Sequence, residues 1–198
     1  MPDPSQRRRS LRLPEYDYRY PGACFVTIVT QGRLPLFGEI VDGEIKLFPQ
    51  GQMIERWWQE LAHKFPQVEI DEYVVMPNHF HGILFITDPP TNTTVGADLC
   101  VGPGLEDIVP NQKGGHAGPP LQKRGASLGE IIQWFKTMTT NAYIRGVKDS
   151  HWPPFPQKLW QRNYYEHIIR DQTELTQTRA YILATPLHGS LDPERFLH

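Results

Sequence analysis

Two histidines separated by one apolar residue lie in the hydrophobic stretch that runs from Tyr73 to Ile86. Side chains alternate faces along a β-strand, so His79 and His81 would point to one face and Phe80 into the core. Two imidazoles on one sheet face can hold a divalent metal ion. The alternative is that the pair only occupies a half-exposed strand face. A structural zinc site is a weaker alternative, because it needs four ligands and no cysteine pair accompanies the histidines.

A nucleophile for such a metal could come from the last predicted helix. The polar face of that helix carries four side chains at helical spacing, namely Glu174, Thr178, Tyr181 and Thr185. Next to a metal ion, the Tyr181 phenol could attack phosphorus as a covalent nucleophile. The ordinary alternative is that Tyr181 packs as an amphipathic residue. Tyr164 and Tyr165 compete for the role, but they lie in an apolar predicted strand where core packing is expected.

The N-terminal segment is a second candidate for binding. It carries a dense group of positive charges followed by alternating tyrosines, namely Arg7, Arg8, Arg9, Arg12, Tyr16, Tyr18 and Tyr20. Arginines could follow a phosphate backbone while tyrosines stack on bases. The alternative is a solvated chain terminus without a binding role.

Composition narrows the class of protein. The chain has 198 residues and 39% hydrophobic residues, which predicts one globular domain over residues 1–198. The net charge of -2 and the pI of about 6.4 place any nucleic-acid site in a local patch. Cys24 and Cys100 do not suggest a disulfide framework. The sequence shows no signal peptide and no membrane span, so we expect a cytoplasmic protein with no membrane partner.

The elements that must position these residues follow from periodicity and turn signals. We predict strands at 24–30, 68–75, 79–86 and 164–169, a hairpin at 36–47 turning at Asp42-Gly43, and helices at 52–65, 127–145 and 171–186. Residues 1–22 form a basic arm, and the Gly- and Pro-rich residues 88–125 are expected to be a flexible insertion. This order predicts an α+β fold, with an antiparallel sheet covered by helices on one face. A ferredoxin-like or RRM-like core is the natural candidate.

The histidine run and three other segments of the sequence resemble a known family. The run from Val74 to His81 resembles the His-hydrophobic-His motif of the HUH single-tyrosine transposases, and more closely that of the REP-associated tyrosine transposases of the insertion-sequence-200-like superfamily. Three further segments agree, namely Arg9 to Tyr18 with Gly22 to Thr27, Trp160 to Arg170, and Tyr181-Ile182 with Pro186-Leu187. The resemblance spans nearly the whole chain apart from residues 88–125.

The resemblance implies a HUH endonuclease fold and a definite chemistry. Members of the family act on single-stranded DNA next to a small hairpin. By position, His79 and His81 would be ligands of a divalent cation, Mg²⁺ or Mn²⁺, and Tyr181 would form a 5′-phosphotyrosine. Relatives usually carry Asn or Gln one turn after the tyrosine as a third ligand, where this chain has Thr185. A hydroxyl is a poorer ligand than a carbonyl oxygen, which puts catalysis in doubt and leaves the fold untouched.

Three functions remain open on the sequence alone. The leading one is a metal-dependent transposase that nicks and rejoins single-stranded hairpin DNA. The second is a domesticated hairpin-DNA-binding protein without strand transfer, which Thr185 favours. The third is an RNA-binding RRM-like module, which leaves the paired histidines unexplained. The oligomeric state is also open, since some relatives form homodimers and others act alone.

Overall fold

A central antiparallel sheet organises the chain in the computed structural model, which describes residues 21–87 and 125–188. The strands are β1 (Gly22–Val29), β2 (Gly38–Val41), β3 (Glu44–Leu47), β4 (Val68–Met76), β5 (His79–Ile86) and β6 (Tyr165–Ile169). The helices are α1 (Pro49–Lys64), α2 (Leu128–Ser150) and α3 (Gln172–Ala184), with short 3-10 turns at Gln31–Arg33 and Thr185–His188. The predicted basic arm, except its last two residues, and the predicted insertion, except Gly125, lie outside the described residues.

Four strands form the main sheet in the order β4-β5-β1-β6, and every neighbouring pair is antiparallel. The β4–β5 hairpin turns at Pro77 and Asn78, as predicted. β2 and β3 form a separate hairpin in which Asp42 and Gly43 both have positive φ, 53° and 81°. Two positive φ angles define the tight turn that Asp-Gly favours, so the predicted turn is confirmed.

The sheet buries both of its faces. One face packs against α1 and α2 through a large core that includes Val26, Phe80, Trp58 and Phe135. The predicted α+β class with an antiparallel sheet is therefore confirmed, and two helices cover one face as expected.

α3 lies on the opposite face, which differs from the expected packing of all helices on one side. A smaller core there joins Phe25 and Ile83 of the sheet to Leu175 and Ile182 of α3. The physical reason is that the central strands β1 and β5 are apolar on both faces. The second face therefore also needs a cover.

The helix ends follow the predicted capping chemistry only in part. α1 begins at Pro49, three residues before its predicted start at 52, after Phe48, which provides no side-chain cap. The Ser127 and Glu130 capping box is present, with Glu130 Oε2 accepting from the Ser127 N–H at 2.8 Å.

α2 nevertheless continues to Ser150, five residues beyond the predicted end at 145. Gly146 lies under Trp152, where a Cβ would come within 2.2 Å of the indole. This glycine therefore serves close packing inside the helix and does not end it.

No helix in the described part of the chain combines the length and hydropathy required to cross a bilayer.

Candidate functional site

His79 and His81 lie on the same face of β5, as strand alternation predicts, and both are buried, with exposed fractions of 2% and 1%. Their ring centroids are 4.6 Å apart. Phe80, between them, points into the opposite core and contacts Trp58. The flanking apolar residues therefore fix the strand, and the strand fixes the two imidazoles side by side.

Each imidazole is oriented through its Nδ1 atom. His79 Nδ1 lies 2.6 Å from Asn78 Oδ1, and His81 Nδ1 lies 2.8 Å from Thr27 Oγ1. The side-chain oxygen Oδ1 of Asn78 can only accept a hydrogen bond. The ring of His79 therefore donates through Nδ1 and keeps its lone pair on Nε2. Partners of this kind on the far nitrogen are typical of metal-ligating histidines.

The two Nε2 atoms are buried and have no hydrogen-bond partner among the described residues. A buried polar atom left without a partner costs about 1–3 kcal/mol, so such atoms need an explanation. Two neighbouring unpartnered Nε2 atoms on one sheet face fit a divalent cation, which each neutral ring can bind when its proton is on Nδ1. The two Nε2 atoms and their orientation therefore fit the divalent cation that the family resemblance implies.

The protonation state of the pair also suits metal binding. Burial, with a smaller contribution from the Arg33 charge, lowers the pKa of His79 to about 4. Burial and the neighbouring His79 lower the pKa of His81 well below its ordinary value. Both rings are therefore neutral at pH 7, as an imidazole must be to bind a metal.

Tyr181 faces these histidines from α3. Its ring centroid lies 5.5 Å from that of His81 and 6.2 Å from that of Phe25, and the side chain is half-buried. The structure therefore brings together the three residues His79, His81 and Tyr181 from two separate elements.

The two competing tyrosines are placed differently. Tyr164 packs toward the α1 and α2 side, where the Lys136 ammonium lies 5.8 Å from its ring centroid. Tyr165 shares the histidine face, but burial and the nearby Glu174 carboxylate raise the pKa of its phenol. A raised pKa makes phenolate formation at Tyr165 harder, and Tyr181 is the tyrosine whose ring contacts His81.

Thr185 ends α3 one turn after Tyr181 and is 7% exposed. Its hydroxyl donates to the Tyr181 backbone carbonyl at 2.7 Å. The hydrogen is thus used within the helix, and only oxygen lone pairs are left for another contact. Within residues 21–87 and 125–188, no cluster of three or more His, Cys, Asp or Glu side chains could hold a metal. The role of Thr185 as third ligand stays a prediction.

α3 is held on the sheet by the Arg179–Asp71 ion pair, by the contact of Glu174 with His167 of β6 and by a small apolar core. Arg179 donates to both carboxylate oxygens of Asp71, with N–O distances of 2.8 and 3.1 Å. Asp71 lies at a β-bulge between Ile70 and Tyr73 in the edge strand β4. Bulges re-aim side chains, and here the bulge accompanies the contact between β4 and α3.

Sequence reasoning missed the residues that orient the histidines. Asn78 could have been found from its position directly before His79. Thr27 could not, because it meets His81 only through the pairing of β1 with β5, which places the two residues opposite each other. The predicted DNA-binding residues Arg7, Arg8, Arg9 and Arg12 lie outside the described residues.

The overall architecture matches that of a known class of structure. A solved structure of a REP-associated tyrosine transposase bound to a REP hairpin superposes with a TM-score of 0.52, covering 92% of this chain and 76% of that one at 19% identity. At this identity the likeness establishes the fold. The α+β architecture with a four-stranded antiparallel sheet is therefore that of the transposase structure.

In sequence, the chain is 34% identical over 189 residues to an uncharacterized protein of Haemophilus influenzae, covering 91% of this chain and 88% of the relative. The chain belongs to the same family as this Haemophilus protein. A search against protein-family models gave no match.

Proposed function

We propose that the protein is a transposase-like, metal-dependent enzyme that nicks and rejoins single-stranded DNA beside a hairpin. The observation that carries this proposal is the pair of buried, unpartnered Nε2 atoms on His79 and His81, with the Tyr181 ring packed against the second imidazole. The similar fold of a transposase bound to a REP hairpin supports hairpin DNA as the substrate.

His79 and His81 would hold a divalent cation through Nε2, and such an ion would withdraw charge from the scissile phosphate and favour the phenolate. Of the two ions expected, Mn²⁺ suits two nitrogen ligands better than Mg²⁺, which prefers oxygen. The Nδ1 contacts with Asn78 and Thr27 would keep both rings in position for this role.

In the proposed step, Tyr181 Oη loses its proton to solvent and forms a bond to phosphorus. The bond from phosphorus to the 3′ oxygen breaks, and that oxygen takes up a proton as a free 3′-OH. The 5′ phosphate remains on Tyr181 as a phosphodiester, so its energy is kept for rejoining. In rejoining, a 3′-OH attacks the phosphorus of this linkage, the bond from phosphorus to Tyr181 Oη breaks, and the tyrosine takes up a proton and is released.

A second candidate is hairpin-DNA binding without strand transfer. The observation that favours it is the hydrogen bond from the Thr185 hydroxyl to the Tyr181 carbonyl, which gives Thr185 a structural function at the helix end. In that case the histidines would be a remnant of a metal site. The RNA-binding alternative is weaker, because α3 covers the sheet face that an RRM-like module would need for stacking bases.

The deciding experiment is a nicking assay on single-stranded DNA that contains a hairpin, with Mn²⁺, with Mg²⁺ and with EDTA. We expect a covalent protein–DNA adduct that requires metal. Tyr181→Phe should abolish the adduct and keep hairpin binding, because the variant loses one oxygen and keeps the packing volume. Tyr165→Phe is the matched control and should retain the adduct. An adduct that persists in Tyr181→Phe would move the nucleophile to another tyrosine.

The N-terminal arginines are proposed to contact the DNA backbone. Removing residues 1–14 should weaken binding and reduce its salt dependence. Each lost phosphate contact should lower the log–log salt slope by roughly 0.7 on single strands. An unchanged slope would show that the arm does not touch the backbone.

A further inference from the structure

A cavity lies beside Tyr181 on the side away from β4. Its volume is about 360 Å³, and its walls come from β1, β6 and α3. The residues that matter for its chemistry are Phe25, Tyr165, His167, Glu174, Gln177 and Tyr181. The mechanism proposed above uses only the last of these.

The strand register places this cavity one strand from the histidine pair. Thr27 lies opposite His81 on one side and opposite Tyr165 on the other. Tyr181 contacts the His81 ring and also lines the cavity. A group bound in the cavity would therefore adjoin whatever is attached to the tyrosine.

The cavity combines aromatic walls with a fixed polar edge. Phe25 is at the centre, with the ring centroids of Tyr165 and Tyr181 at 6.3 and 6.2 Å. At the polar edge, His167 Nε2 lies 2.6 Å from Glu174 Oε1. The other oxygen of Glu174 accepts from the Arg170 backbone N–H at 2.7 Å. The Glu174 carboxylate thus holds the His167 ring, and the Arg170 backbone N–H holds the carboxylate.

The anchoring defines what the polar edge can offer. The Arg170 backbone N–H and then His167 lower the pKa of Glu174, so its carboxylate is ionised and accepts the Nε2 proton of the imidazole. In the neutral ring this leaves Nδ1 as an acceptor. Gln177 adds an exposed amide with both a donor and an acceptor. A carboxylate at this edge disfavours a free anion as the ligand.

We propose that this cavity receives one unpaired nucleobase of the single-stranded DNA, belonging to a nucleotide next to the scissile phosphate. The inference rests on the proposed function for the identity of the DNA. Aromatic walls match the π-face of a base, and the His167 and Gln177 edge matches the hydrogen-bonding groups of a base rim. The cavity volume is at the small end of ligand pockets, roughly 300–1,000 Å³, and accommodates one base.

In this arrangement His167 is a specificity-determining residue held in place by Glu174. Seating the base would fix the nucleotide on one side of the phosphate, and it would leave the phosphate itself between Tyr181 and the histidine pair. Positioning of this kind speeds a reaction by holding the reacting atoms in line.

The first test measures base seating without any cleavage. Hairpin DNA carrying 2-aminopurine at each position of its single-stranded stretch in turn is titrated with the protein in EDTA. We expect strong quenching at one position, because stacking on an aromatic ring quenches this base. Tyr165→Leu should lose most of that quenching, whereas Tyr164→Leu, altered on the opposite face of the sheet, should retain it. Bound DNA without quenching at any position, or equal quenching in both variants, would overturn the proposal.

The second test measures the effect on the reaction. An abasic nucleotide at the quenched position should slow adduct formation roughly tenfold. A tenfold change corresponds to the free energy of about one base–aromatic stack. His167→Ala should slow it on intact DNA and add little on abasic DNA, since both changes remove one contact. Losses that multiply would overturn the assignment of His167.

The two proposals fail separately. Position-specific quenching without any adduct would overturn the nicking function and keep the base pocket. Adduct formation that ignores the abasic substitution would overturn the pocket and keep the nicking function.

Discussion

Acid should destabilise the metal-free protein through His79 in particular. The pKa of this ring is about 4 in the folded chain, because burial and then Arg33 disfavour its charge. In the unfolded chain the ordinary value is about 6.5. Between these values the unfolded chain binds more protons than the folded one. Stability therefore falls as pH falls through about 6.5, and the loss levels off below about 4.

The magnitude follows from the two pKa values. At pH 5 the unfolded ring is almost fully protonated and the folded ring is about one-tenth protonated. The linkage relation then gives a loss of about 2 kcal/mol relative to pH 7 from this residue alone. That is a large part of the stability of an ordinary domain, which is about 5–15 kcal/mol. His81, also with a lowered pKa, should add to the loss.

Urea unfolding at pH 7 and pH 5 in EDTA measures this loss. The wild type should lose more stability than His79→Gln, which keeps a polar side chain but cannot take up the proton. His63→Gln is the matched control, because the His63 side chain is 79% exposed. Equal losses in the wild type and in His79→Gln would refute the reasoning about burial.

Three further changes test other parts of the structure. Gly82→Ala should cost about 1–3 kcal/mol in urea unfolding, because its Cβ would come within 2.7 Å of the Trp58 ring; unchanged stability would contradict this packing. Asp71→Asn removes the charge partner of Arg179 and should speed hydrogen exchange in α3 more than in the sheet. Thr185→Asn should lower the Mn²⁺ concentration needed for nicking if this residue is a ligand, since it presents a carbonyl oxygen. Superimposable metal titrations would remove Thr185 from the site.

Local chemistry was predictable from the sequence. The alternation of His79, Phe80 and His81 gave the common face of the two imidazoles, and Asp42-Gly43 gave the tight turn. In each case neighbouring residues determine the outcome, so a short window of sequence is sufficient.

Long-range features were not predictable in the same way. The order β4-β5-β1-β6 brings Thr27 between His81 and Tyr165, although these residues are far apart in the chain. The face chosen by α3, and with it the cavity at His167, depends on that order. The order of the strands and the sheet face on which α3 packs depend on contacts between residues that are distant in sequence. A short window of sequence therefore does not predict them.

The attachment of α3 has a consequence for how often Tyr181 lies next to the histidines. Within this helix only Leu175 and Ile182 are buried, and the Arg179–Asp71 and Glu174–His167 contacts to the sheet supplement them. The other face of the sheet has a far larger core, so α3 should open at a lower free energy than the rest of the domain. Tyr181 would then lie against His81 in only a fraction of molecules, while the two histidines, held in the sheet, remain in place in all of them. Any ligand that bridges α3 and the sheet would raise that fraction, so under the proposed function DNA binding itself would bring Tyr181 to the histidines.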